Sequence, residues 1–292
     1  MFWQQLINGL AIGSIYALVA VGYSLVYGVI KLINFANNAF MVGGSYLLIL
    51  FFEKIGIPFW PSIILSLLIT GVGAIFMERA SLNPIRKRQV SDIAALICTV
   101  GYSTVIVNII MIVFGSQTIS VPFIYQLKPF PVGNVVVNPF LLLILAAALV
   151  MMGLLTYLTY FTKTGDAMRA ISQNTLAAKL MGVNVNNIIT LTFFIGTVCA
   201  GFAGIMIGWY AGAIDTGMSF SIGIKAFAAA ILGGIGVLHG ALIGGLVIGI
   251  LETFVAGYLT AGYRDAVAFV ILIIVLIISP TGLFGKKTLT KV

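Results

Sequence analysis

Leu6 to Ile30 is a run without a single charged residue, and comparable runs follow it to the end of the chain. At 1.5 Å rise per residue, about 20 such residues cross the ~30 Å hydrocarbon core of a bilayer. Backbone N–H and C=O groups find no partner in lipid, so such a run folds as a helix that satisfies its own bonds. No basic residue precedes the first run, and it is too long for a signal-peptide core, so it is expected to stay as a span. Hydropathy places spans near 6–30, 36–52, 61–78, 92–114, 139–160, 188–210, 222–238, 241–259 and 265–279. The expected fold is all-α, a polytopic membrane helical bundle of about eight to ten spans. Polar or glycine-rich interruptions at 32–40 and 220–240 predict broken or re-entrant helices.

Composition agrees. Only 8% of the residues are charged, against about 25% in soluble domains. So few charges cannot coat a globule of 292 residues, which makes lipid the solvent for most of the surface. The net charge of +8 does not point to nucleic acid, because of where it sits. Lys31, Arg79, Arg86, Lys87, Arg88, Lys163, Arg169, Lys179, Lys286, Lys287 and Lys291 fall in three loops or turns and the tail. Lys54, Lys128 and Arg264 lie on the other side, and Lys225 is left at or within the membrane. This asymmetry follows the positive-inside rule, with the N-terminus outside and the C-terminus in the cytoplasm.

No stretch between spans is long enough for a soluble domain, so residues 1–292 read as one transmembrane domain. The excursion at 115–138 carries the Pro, Gly and Asn of a small external hairpin. Small residues recur at helical spacing in Gly9, Gly13 and Ala17, in Gly204, Gly208 and Gly212, and in Gly240, Gly244 and Gly249. Such ridges let helix backbones approach closely. Cys98 and Cys199 sit inside apolar runs and read as packing residues.

Several chemistries are absent. There is no G-x-x-x-x-G-K-[ST] to cradle ATP phosphates, and Gly233-Gly234-Ile235-Gly236 lacks the lysine. A single histidine, His239, excludes a paired-histidine metal site and leaves no nucleophilic triad. No enzyme activity, metal or cofactor is expected on this chain.

The polar segment "TKTGDAMRAISQNTLAAKLMGVN" at 162–184 stands out between two apolar runs. Thr164 or Asp166 is suited to cap a helix start, and Asn174 to cap a second short helix. Gly182 is placed to end it in a left-handed conformation. Leu176, Ala177, Leu180 and Met181 share one face. Two readings remain open: a connector packed on its own bundle, or a surface for a groove on a soluble partner.

Gly165, Arg169-Ala170, Asn174, Ala177-Ala178 and Gly182 resemble the cytoplasmic coupling loop of bacterial ABC-importer permeases of the branched-chain amino acid type. The resemblance runs almost end to end. "NGLAIGSIYALVAVGYSLVYGVIKLINFAN", "KAFAAAILGGIGVLHGALIGGLVIGILE" and "AGYRDAVAFVILIIVLIISPTGLFG" follow the pattern of the shorter, H-type permease in order. Where the family has His-Gly-Glu after Asn-Phe-Ala, this chain has Asn37-Asn38-Ala39, replacing two ionisable groups with amides and an alanine.

The resemblance implies a division of labour in the bacterial cytoplasmic membrane. A related second permease encloses the path with this chain, two ATP-binding subunits supply ATP and magnesium chemistry, and an extracytoplasmic substrate-binding protein delivers substrate. Residues 163–187 become the coupling segment, with Gly165, Asp166, Arg169, Asn174, Leu176, Leu180, Met181 and Gly182 at the ATPase. The substrate class is the branched-chain amino acids, although urea and sugar permeases share much of the pattern. A stand-alone ion-coupled transporter would need a chain of membrane acids, for which Glu252 with His239 is slender support. Nothing resembles a channel filter.

Charge within a membrane costs roughly 2.5–3.5 kcal/mol at a helix centre on the insertion scale. Lys225, His239 and Glu252 are the deepest such groups, with Glu252 placed to pair with Lys225 or His239. Asn34, Asn37 and Asn38 border the first break, where unwound backbone is suited to meet a zwitterion. With Gly233 and Gly234 at the second break, these residues make up the candidate path. Asp215, Arg264 and Asp265 sit near external span ends.

Overall fold

A computed structural model describes residues 2–88, 90–121, 130–132, 135–279 and 281–285. Among them, six helical stretches are long and apolar enough to cross a membrane. They are α1 (Phe2–Ile30), the continuous Phe59–Lys87 stretch, α5 (Asp92–Phe114), α6 (Pro139–Phe161), α9 (Val185–Ala211) and α11 (Leu238–Tyr258). The Phe59–Lys87 stretch comprises α3 (Phe59–Met77), a π-helical turn at Glu78–Leu82 and α4 (Asn83–Lys87).

The three other expected spans are shorter helices. They are α2 (Ala36–Ile49, 14 residues, continued by a π-helical turn to Lys54), α10 (Met218–Gly233, 16 residues) and α12 (Arg264–Ile278, 15 residues). At 1.5 Å per residue they reach about 21–24 Å. The breaks fall within both anticipated windows. Lys31, with a left-handed φ of +58°, ends α1, and Asn34 and Phe35 accept the first backbone bonds of α2. Gly234 and Gly236, at φ +98° and +93°, turn the chain from α10 into α11.

α1 is the axis, its most apolar window 94% buried against 11% for α5, which makes α5 peripheral. α1 packs on α6, α9, α10 and α11. It runs antiparallel to α11: a methyl on Gly9 would come within 2.8 Å of Ile250 Cα, and one on Gly13 within 2.9 Å of Leu246 Cα. Two of the small-residue ridges therefore do bring backbones together, though Gly245 rather than Gly244 faces Ala17. In the third ridge Gly204 meets Met41 of α2, whereas Gly212 lies past the helix end at φ +72°.

At one end of the bundle, β1 (Ile119–Ser120) pairs antiparallel with β4 (Ala213–Ile214), a ladder that the sequence does not announce. The expected hairpin is present as β2 (Phe130–Val132) against β3 (Val135–Val137). At the other end lie α7 (Lys163–Gln173) and α8 (Thr175–Leu180), following α6. Cys98 and Cys199 are free thiols.

Candidate functional site

The α7–α8 segment is capped at each joint. Thr162, not Thr164 or Asp166, caps α7: its Oγ1 accepts from Gly165 N at 3.2 Å. An extended Thr162 leaves its hydroxyl facing the first turn, whereas the other two residues already lie inside the helix. Asn174 Oδ1 accepts from Leu176 N and Ala177 N at 3.0 Å each, and Gly182 follows α8 at φ +85°. Met168 and Ile171 of α7 and Ala178 of α8 are buried on the bundle. Gly165 packs so tightly that a Cβ there would collide with the backbone of Leu158 and Thr159. Arg169 adds a clamp, donating to the Thr159 carbonyl and to Asp166 Oδ1 and lying over the Tyr160 ring. By contrast Leu176, Leu180 and Met181 are 68%, 79% and 85% exposed. One side of the segment is sealed to the bundle, and the other presents an apolar face.

The asparagines at the first break lie inside the bundle. Tyr23 donates its hydroxyl to Asn38 Oδ1, and Asn38 fills the space left by Gly223 of α10. A methyl on Gly22 would come within 3.1 Å of Asn37 Nδ2. Asn34 and Asn37 are buried, and among the described residues neither their amide atoms nor the Ser24 hydroxyl has a hydrogen-bond partner. Buried polar atoms without partners are rare in folded proteins. Phe35, Phe227 and Tyr23 pack together beside them, with ring centroids 5.3–6.5 Å apart.

The ionisable groups do not join that cluster. Lys225 Nζ contacts Glu252 Oε1 at 2.9 Å and Asp265 Oδ1 at 2.8 Å, which resolves the choice of partner for Glu252. Asp265, from the start of α12, is the member not expected. Gly223 and Lys225 are two residues apart, about 200° around the helix, so α10 separates the amides from the charges. His239 sits exposed at the start of α11 and leans on the Tyr160 ring at 5.3 Å. Asp215 Oδ1 accepts from Met218 N at the start of α10, and Arg264 is exposed. Gly233 and Gly240 touch backbone to backbone, and Gly234 lies against Gly285. The candidate path residues thus occupy separate places: the α10–α11 turn with His239, the amide cluster, and the ionic triad.

Glu78 was not anticipated. It is fully buried, accepting from Thr190 Oγ1 at 2.8 Å and Arg86 at 3.3 Å, while Arg86 also reaches Asn186 Oδ1 at 3.0 Å. Its signal was an acid at the foot of an apolar run with a basic residue two turns on.

The family model for the permease component of branched-chain amino acid transport systems matches residues 5–276. The chain belongs to this family of permease components. It is 36% identical to the high-affinity branched-chain amino acid transport system permease protein BraD of Pseudomonas aeruginosa, with 100% of this chain and 98% of that protein covered. It is 34% identical to LivH of Escherichia coli, described in the same words, over the same shares. A chain of PsaBC from Streptococcus pneumoniae in complex with Fab aligns at TM-score 0.49 and 15% identity over 96% of this chain and 92% of that one, too remote to inform the site.

Proposed function

We propose that this permease forms half of the path of an ATP-driven importer of branched-chain amino acids, and that a separate ATPase drives it through α7–α8. The observation that carries this is the two-sidedness of the segment: Gly165, Met168, Ile171 and Arg169 fix it to the bundle, while Leu176, Leu180 and Met181 stay exposed. A part that transmits movement needs a rigid anchor and a free contact face, and the segment has both.

The family and the names of its relatives support the substrate class. Two ATP-binding subunits, a related second permease and an extracytoplasmic binding protein complete the assembly. Arg86 of α4 bonded to Asn186 at the start of α9 gathers basic segments at the α7 end, which supports a cytoplasmic position for it. The N-terminus then lies outside. Asn34 and Asn37 offer amide donors and acceptors to the ends of a zwitterion without adding charge.

Affinity purification of the tagged chain tests this. An ATPase and a second permease should co-purify, and uptake into vesicles should require the binding protein and favour leucine, isoleucine and valine over urea. A chain that purifies alone and transports on an ion gradient refutes it.

A further inference from the structure

A cavity of about 970 Å³ lies between α7 and the bundle. Its walls are the ends of α1, α6 and α10, the α10–α11 turn and residues 281–285. Small-molecule sites span roughly 300–1,000 Å³. None of Asn34, Asn37 and Asn38 lines it; its link to them runs through Phe227, which lines it and packs on Tyr23, the donor to Asn38.

Its lining has a consistent chemistry. Leu25, Ile33, Ile231 and Ile235 supply an apolar wall, and among the described residues no Asp or Glu lines it. Ser24 and Thr159 line it too, but their unpartnered hydroxyl oxygens are turned away from its accessible space. Lys31 stands exposed at the rim on a left-handed backbone, near the Tyr27 ring and in no ion pair among the described residues. Arg169 also lines the cavity, but the Thr159 carbonyl and Asp166 already engage its guanidinium. The left-handed backbone of Lys31 is the conformation in which helices commonly end, closed here by Lys31 N donating to the Tyr27 carbonyl at 2.8 Å.

We propose that this cavity is a second ligand site, entered from the α7 end, for a small aliphatic carboxylate. The carboxylate takes Lys31, and the aliphatic chain lies along the wall. Because one wall is α7, an occupant bridges the coupling segment to α1 and restrains their relative movement. The choice of leucine as first probe rests on the proposed substrate; the site itself does not.

The test is equilibrium binding to the complete transporter in nanodiscs, without binding protein or nucleotide. The probes are leucine, its neutralised analogue leucinamide, and octanoate. A carboxylate should bind and leucinamide should not. K31Q should weaken binding at least about tenfold, the worth of one charge-assisted hydrogen bond, with K31R restoring most of it. Asn108→Ala, exposed on α5 and outside the cavity, should leave leucine binding unchanged. Leucine binding identifies returned transport product as the source, and octanoate alone identifies an acyl carboxylate. Equal binding of leucinamide, no effect of K31Q, or binding of neither carboxylate overturns the site. Uptake by the same preparation separates the failures: normal leucine uptake without cavity binding sinks this site alone.

Discussion

Lys225 Nζ lies 2.9 Å from Glu252 Oε1, an ion pair joining α10 to α11 with side chains only 9% and 3% exposed. Removing one partner of such a pair strands the other charge, at about 3–5 kcal/mol, whereas removing both is often close to neutral. Lys225→Met should therefore lower the unfolding midpoint of the purified assembly sharply, and adding Glu252→Gln should recover most of the loss. Asp265, 65% exposed, can hydrate when Lys225 is gone, so Glu252 carries the penalty. Equal destabilisation of single and double variants would contradict this.

Thr190→Val removes the 2.8 Å hydrogen bond to the buried Glu78 carboxylate at nearly constant volume. A bond to a charged group contributes about 1.5–3 kcal/mol. Thermal unfolding should show a loss of that size, with Arg86 left as the remaining partner on Glu78. An unchanged midpoint would mean that Glu78 is held without α9.

Gly234→Leu should abolish uptake while the assembled complex still purifies. The residue sits at φ +98°, and its Cβ would come within 2.7 Å of Gly285 N. The side chain would also disturb Leu283 N, which donates to the Leu232 carbonyl at 2.8 Å and holds residues 281–285 against α10. Wild-type uptake would show that the turn tolerates movement.

The sequence announces what is local. Asn174 and Gly182 are legible because caps act within a few residues, and both helix breaks show as polar or glycine-rich gaps. Thr162 was missed because several polar side chains compete for one cap position. Long-range partners are not legible: Asp265 meets Lys225 only through the packing of α12 on α10, and Glu78 meets Thr190 across 112 positions. Period alone puts Gly223 and Lys225 on opposite sides of α10 but cannot say which neighbour each side meets, because α10 is apolar almost all round.

Orientation is tested by single cysteines after replacing Cys98 and Cys199. Lys87→Cys and Gln173→Cys, both exposed near the α7 end, should react with a membrane-impermeant maleimide only from the cytoplasm. Glu53→Cys, exposed after α2, should react only from outside. Labelling of position 173 from the outer face would invert the bundle and remove the coupling role.

Leu180, 79% exposed on α8, can be changed without disturbing the bundle. Burying one leucine contributes about 1.5–3 kcal/mol, enough to decide a small interface. The direct measurement is ATPase activity of Leu180→Asp in reconstituted vesicles, with and without loaded binding protein, beside recovery of the ATPase on the tagged permease. The permease pair should remain intact, while stimulation by the loaded binding protein falls at least about tenfold or the ATPase is lost from the complex. Full stimulation with the ATPase still bound would show that α8 is a connector and not the docking surface.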